Sequence, residues 1–548
     1  MYCFTVFLMG FHNLGIAFPG GDGMILKKLA GHRWIGIFSL GLSSAIWYTL
    51  KIDYMDREGK LSLPGYPILE WWDLAVIADV AAFLFLILVM TLPRLAHWQW
   101  KRSPRQGHKH FYLAALFMFL WQIPFLLAFY PAPGMNDTVF MINHPLYGSI
   151  QFPWLYSLIY GYGAFWGRQW IGTAEPIIFL LSLIQLGVMT FTLTRFCYWV
   201  INHYHEKMGW GLYLFFTLWP MVGNYDIAAV RDGIFSLSLL LWMWLFLLFR
   251  ENPRWDRKRY ILLIAALLGT MLFRNNGIIL SVILTGLLVY QYGNRYIWIP
   301  CLLSMMLAIF PARWIQEVHH FEPLFQESMA IPLQQLGRTL VTHGTRSKET
   351  VDMMDGILKT SIWKETYSPY TVDFVKWHDD FKRHELNQEK GKFLRLWLET
   401  GIDNPKIYIE GWLTETYALW NVDPMEYGVQ SRFGWALSDD NTAHMVPADN
   451  DRMAVGHFPM PMFLKSILAR IHWEGSHFLG TGLCLWMTLW ILLMFHLQQK
   501  NYGLGASPLL LNTAILLLST PASSVFRYSF SYVLCLPVLC ILIVLKDK

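Results

Sequence analysis

The chain has 548 residues, of which 55% are hydrophobic, 16% aromatic and only 15% charged. Soluble domains carry about 25% charged residues, so this composition excludes a string of soluble domains, as well as disorder, a collagen-like chain and a disulfide scaffold. The net charge is +5, and Lys and Arg sit mainly in short loops between apolar runs rather than on one soluble face, which argues against a nucleic-acid partner.

A spanning helix needs about 20 mostly apolar residues. Runs of this kind are predicted at roughly 3–20, 34–50, 73–92, 111–130, 176–196, 210–224, 233–249, 260–273, 277–292, 296–312, 478–497, 505–521 and 528–545. The fold class expected is therefore an all-α polytopic membrane protein of about thirteen spans. The first run lacks a preceding basic region and a clear cleavage site, so a removed signal peptide is not expected. Cys3, Cys197, Cys301, Cys484, Cys535 and Cys540 lie in or beside apolar runs without a CxxC pair; they read as core or lipid-facing residues.

Basic residues mark the cytoplasmic loops of a membrane protein. Alternate loops hold nineteen Lys and Arg (Lys27, Lys28 and Arg33 in the first, five each from Arg94 to Lys109 and from Arg250 to Arg259) and the opposite short loops hold seven. This bias places the N-terminus outside and the C-terminus in the cytoplasm, as an odd number of spans requires. The expected organisation is three helices and a basic loop in 1–110, a transmembrane core in 111–312 with a long outer loop at 131–175, an exoplasmic domain at 313–477, and C-terminal spans in 478–548. The exoplasmic stretch is punctuated by Gly344 and by prolines from Pro369 to Pro461, and reads as mixed and mostly helical.

Scarce polar residues gather at the outer ends of the core spans. The loop after 111–130 opens Tyr130-Pro131-Ala132-Pro133-Gly134-Met135-Asn136-Asp137. The next outer turns are Asn224-Tyr225-Asp226 through Arg231-Asp232-Gly233, then Arg274-Asn275-Asn276-Gly277, then Ser523-Ser524-Val525-Phe526-Arg527-Tyr528. Ionisable groups beside a membrane are costly and point to function, although arginines also snorkel to head groups and an Asp after a turn also caps a helix. The aromatic, glycine-broken stretch Phe152–Trp166 suits a helix lying in the interface, or a re-entrant segment. His203 and His205 flank Tyr204 on the cytoplasmic side, a spacing that does not alone make a metal site, and His319-His320 reads as ordinary surface. Asp79, inside the third run, is expected to pair with another helix. Asp439-Asp440 and Asp449-Asn450-Asp451 read as solvated loop before Ca²⁺ ligands. There is no phosphate-binding loop of the GxxxxGKS type, dinucleotide fingerprint, HExxH or GxSxG.

These residues suit sugar transfer from a polyprenyl phosphate at the outer leaflet. The leaving phosphate needs cations and no general acid. The acceptor hydroxyl needs a carboxylate to take its proton. On the phrases Tyr130–Asp137, Arg231-Asp232-Gly233, Arg274-Asn275-Asn276-Gly277 and Ser328-Met329-Ala330-Ile331-Pro332-Leu333-Gln334-Gln335-Leu336-Gly337-Arg338, the chain resembles the GT-C superfamily of integral-membrane glycosyltransferases over about 111–545. It resembles more closely a group of bacterial multi-spanning membrane proteins related to those enzymes.

The resemblance implies an inverting glycosyltransferase of a bacterial plasma membrane, with a polyprenyl-phosphate sugar as donor and a cell-surface glycan, such as a wall polymer or capsule, as acceptor. It implies Asp137 as general base, with Asp232 and Asp226 assisting or, together with Asp137, holding a divalent cation such as Mg or Mn. Arg274, Arg527, Arg231 and Arg338 are then expected at the donor phosphate. Asn136, Asn275, Gln334 and Gln335 are expected to meet substrate. The Trp71-Trp72-Asp73 sequence lies outside the core and does not match the oligosaccharyltransferase signature in place. Two other classes stay open: a flippase or transporter of a lipid-linked glycan, which needs polar residues through the membrane depth, and a non-catalytic scaffold.

Overall fold

In hydrocarbon every backbone N–H and C=O must be paired within the chain, so long apolar runs become helices. The computed structural model describes residues 22–105, 110–423, 435–436, 457–475, 479–519 and 526–547, with side chains from His32 onward apart from those of Asn136, Trp435, Ala436 and Trp473. These residues are mostly helical; the one sheet among them is the antiparallel pair Pro133–Gly134 with Trp435–Ala436. Run 3–20, Cys3, Asp439-Asp440 and Asp449-Asn450-Asp451 lie outside the described residues.

Among the described residues seven helices are long and apolar enough to cross a membrane: His32–Arg57, Asp73–His97, Phe111–Ala128, Glu175–His203, Asp232–Glu251, Arg295–Val318 and Phe526–Val544. Gly277–Tyr292, Thr481–Leu497 and Gly503–Ser519 are apolar but shorter. The run expected at 210–224 is broken, giving helices Glu206–Leu218 and Pro220–Ile227, because Pro220 has no N–H to continue the ladder. The run at 260–273 forms the helix Arg257–Met271, with 15 residues. The protein is thus a polytopic helical membrane protein. Asp232–Glu251 is its central helix, buried through Leu239, Trp242, Leu245 and Phe249. Asp79 departs from expectation. It lies exposed on Asp73–His97 with no hydrogen bond or ion pair among the described residues, since that helix packs on its neighbours along one narrow strip.

Contacts sort the loops into two ends. At one end Arg102 meets Glu251 at 3.1 Å and the Tyr502 hydroxyl at 2.6 Å, Arg250 pairs with Asp547, and the Ser103 N–H donates to Tyr204 O at 3.1 Å. These residues come from the loops read as basic. At the other end the turns around residues 137, 231, 274 and 527 come together.

Residues 325–420 form short helices around an apolar core that includes Leu333, Leu336, Met354, Trp363, Phe393 and Leu396. Glu410 docks this helical domain on the loop between the first two long helices. It accepts from Ile68 N–H at 2.9 Å and Leu69 N–H at 3.0 Å, and pairs with Arg338 at 2.9 Å. The helix Met462–Glu474, within the stretch expected to be exoplasmic, packs back on the bundle instead. Its His472 ring lies 4.8 Å from that of Phe129 and bonds Asn224.

Candidate functional site

Pro131 and Pro133 cannot extend the helix Phe111–Ala128, so the chain runs extended to Met135 before the helix Asn136–Asn143 begins. Two bonds fix this segment to the turn before Asp232–Glu251. Ala229 N–H donates to Pro133 O at 2.8 Å, and Thr138 Oγ1 donates to Ala229 O at 2.6 Å. Asp137, in the first turn of its helix, is thereby held against Arg231.

Close backbone approach sets the rest. A Cβ on Gly233 would come 2.7 Å from Tyr225 O, and one on Gly277 would come 2.0 Å from Thr270 O. Glycine at these points lets the turns carrying Asp232 and Arg274 fold tightly over the helix ends.

Five charged residues then form one chain of ion pairs. Arg231 lies 3.3 Å and Arg527 2.8 Å from Asp137 Oδ2. Arg527 Nε faces Asp232 Oδ2 at 3.9 Å, and Arg274 binds Asp232 Oδ1 at 2.9 Å. Asp137 is the most open member, with its side chain 25% exposed, whereas that of Asp232 is 1% exposed. Burial pulls the Asp137 carboxyl upward, but Arg527 and Arg231 outweigh it and hold the group below the usual carboxylate range. Three guanidinium groups against two carboxylates leave one positive charge in excess. Arg527 Nε and Asp232 Oδ2 also have no hydrogen-bond partner among the described residues.

Aromatic rings position the cations. Arg274 lies 3.8 Å over Tyr528, whose hydroxyl accepts from Arg527 at 3.2 Å. Arg231 lies 4.4 Å over Phe152. Such contacts contribute about 0.5–2 kcal/mol each and keep long side chains from wandering. Neither role was evident from sequence: Tyr528 sits beside Arg527 in the chain, but nothing there indicates that its ring carries Arg274.

The remaining candidates lie elsewhere. Asn275 is exposed at the edge of the cluster, donating to Gln151 O at 3.3 Å, and Asn136 opens the helix that carries Asp137. Asp226 is fully buried on Pro220–Ile227, with no hydrogen-bond partner for either oxygen among the described residues and no ion pair to the arginines. Arg338, Gln334 and Gln335 belong to the helical domain. Arg338 pairs with Glu410 and donates to Leu61 O at 3.2 Å; Gln334 donates to Ser368 O and Pro369 O; Gln335 donates to Tyr408 O and accepts from Trp397. Among the described residues no group of three His, Cys, Asp or Glu is placed to hold a metal. Asp137 and Asp232 face guanidinium groups and Asp226 stands apart, so the three acids do not fit a divalent cation.

The model of a family described as "Family of unknown function (DUF6020)" matches residues 140–548, about three quarters of the chain. The match begins three residues after Asp137 and includes Arg231, Asp232, Arg274 and Arg527. No curated protein and no solved structure matches the chain.

Proposed function

The chain belongs to the DUF6020 family, and we propose that it is an inverting glycosyltransferase. It moves a sugar from a polyprenyl-phosphate donor to a cell-surface glycan at the outer face of a bacterial plasma membrane. In this reading about thirteen spans cross the bilayer, the N-terminus is outside and the C-terminus is cytoplasmic, as the distribution of Lys and Arg suggests.

One observation carries the proposal. A partly exposed carboxylate, Asp137, lies between two guanidinium groups at one end of an apolar bundle, in a cluster with one positive charge to spare. A phosphodiester carries one negative charge and would neutralise that excess. Its oxygens compete with Asp137 for Arg231 and Arg527, while Arg274 stays on Asp232. Losing those contacts raises the basicity of Asp137 as the donor arrives. The acceptor hydroxyl oxygen then attacks the anomeric carbon from the face opposite the phosphate, and its proton passes to Asp137. The bond from the anomeric carbon to the phosphate oxygen breaks, and its electron pair leaves with the polyprenyl phosphate. The extra negative charge forms beside Arg231 and Arg527, where fixed cations act most strongly. A transporter finds less support, because Asp79 is exposed on its helix rather than lining an interior path.

The test is sugar transfer by the purified full chain in lipid nanodiscs, supplied with polyprenyl-phosphate sugars and membrane glycan. Transfer with inversion that disappears in Asp137→Asn supports the reading. Undiminished transfer by that variant rejects Asp137 as base, and no transfer from any polyprenyl-phosphate sugar rejects the reaction.

A further inference from the structure

A cleft of about 540 Å³ opens in the helical domain between Glu322 and the segment 377–385. Ligand pockets commonly measure about 300–1,000 Å³. Trp377 stands partly exposed in its wall, with the Arg383 guanidinium 4.9 Å from its ring. Glu322, Asp379, Glu385 and Lys382 complete a rim of mixed sign. Such a rim suits neither an apolar molecule nor a simple anion. It suits a ligand with many hydroxyls and an apolar ring face.

The cleft is joined to the charged cluster by a file of side chains from a different part of the sequence. Arg383 Nη1 donates to the Tyr147 hydroxyl at 3.4 Å. The Tyr147 ring lies 5.9 Å from Phe140, and Phe140 lies 6.2 Å from Phe152. Phe152 lies 4.4 Å beneath Arg231, which reaches Asp137 at 3.3 Å. Trp377, Arg383, Tyr147, Phe140 and Phe152 are all partly exposed, although rings of this size contribute most when buried. Two segments distant in sequence thus keep a row of rings open to solvent, running from a cleft to a carboxylate.

We propose that this row is a glycan-binding track. A linear oligosaccharide of several rings seats one end in the Trp377 cleft and lies along Tyr147, Phe140 and Phe152, which brings a hydroxyl to Asp137. The ring faces of the sugars rest on the aromatic side chains, and their hydroxyl edges meet Arg383 and the rim carboxylates. Only the delivery of a hydroxyl to Asp137 rests on the proposed glycosyl transfer. Glycan binding by the track stands without it.

The experiment uses the full chain in nanodiscs. The probes are glycan fragments released from the source cell's own envelope and sorted by length, with binding read by calorimetry. Affinity is expected to rise with length and to level off once the track is filled. Trp377→Ala and Tyr147→Ala should each weaken long fragments about tenfold, the upper range for a lost ring contact. Trp377→Phe should restore most of the loss, which controls for folding. Absence of binding by any fragment overturns the proposal, as does equal affinity of Trp377→Ala and the wild type. Length-dependent binding that Asp137→Asn retains, in a protein that transfers no sugar, leaves the track standing and removes the enzyme. Sugar transfer with an acceptor KM unchanged in Trp377→Ala and Tyr147→Ala does the reverse.

Discussion

Replacing Asp137 with Asn keeps the shape of the side chain and removes its charge. In the resting structure Arg527 lies at 2.8 Å and Arg231 at 3.3 Å from one carboxylate oxygen, and the side chain is 25% exposed. If Asp137 takes the acceptor proton, its loss should slow transfer by about 10²–10⁴-fold, the usual contribution of a general base. Donor binding should respond in the opposite direction. Three guanidinium groups would face a single carboxylate, so attraction for a phosphate grows. A unit charge at 4 Å contributes about 1 kcal/mol in water and about 4 kcal/mol at an effective dielectric of 20. The exposure of Asp137 places it near the lower figure, which amounts to roughly five- to tenfold tighter donor binding. The assay measures turnover and donor affinity separately in nanodiscs, by product formation and by displacement of a labelled polyprenyl-phosphate sugar. Slow turnover with tighter donor binding is the expected pair of results. Wild-type turnover, or a donor affinity that falls along with turnover, would refute the reasoning.

Other consequences concern stability and assembly. The Asp137 carboxyl is held below its unfolded value of about 3.9, so its ion pairs stabilise the protein above about pH 4 and are lost as pH falls through the lower folded value. Thermal unfolding should therefore find Asp137→Asn less stable than wild type at neutral pH, with the gap narrowing as pH falls below about 4; a gap of constant size contradicts the pairing. Arg274→Ala leaves Asp232, 1% exposed, without its 2.9 Å partner, a loss of about 3–5 kcal/mol, and adding Asp232→Asn should recover part of it in the same unfolding measurement. Gly277→Ala would set a Cβ 2.0 Å from Thr270 O; the turn carrying Arg274 must shift, and donor affinity should fall even where the protein still folds. Glu410→Gln weakens the buried pair with Arg338 and should open the loop at 58–72 to limited proteolysis without changing donor affinity.

The helices were legible because an apolar run has few other ways to satisfy its backbone. The cluster was legible in part for a related reason: acids and arginines are rare enough in this chain that three of each at four successive loop ends stood out. Their pairing was not legible. Asp226 and Asp232 lie six residues apart in one turn, yet one is enclosed by the helix Pro220–Ile227 and the other opens the central helix beside Arg274. Arg338 and the two glutamines were polar in an apolar helix, a pattern that a ligand site and a buried docking joint share. Glu410, whose position beside Arg338 distinguishes the two, follows much later in the chain. Phe152 read as part of an interfacial helix, and only packing places its ring under Arg231.

The two ends of the bundle show why one of them is the better candidate for binding an anion. At the basic end Arg102 and Arg250 are matched by Glu251 and Asp547. Lys500 donates to Leu542 O and Ile543 O, the last carbonyls of a helix whose dipole favours positive charge. Burial pushes the Lys500 amine down to about 8, and these carbonyls solvate it in place of an anion. Arg254, Arg257 and Lys258 stand exposed at that end, where water and salt screen them. At the opposite end the three cations are arginines, which do not deprotonate in this range, and they share two carboxylates. The excess charge cannot be titrated away, and rings at 3.8 Å and 4.4 Å hold two of its bearers in place. A fixed, unneutralised positive charge at the end of an apolar bundle is costly to the fold alone. The phosphate of the proposed donor would neutralise it.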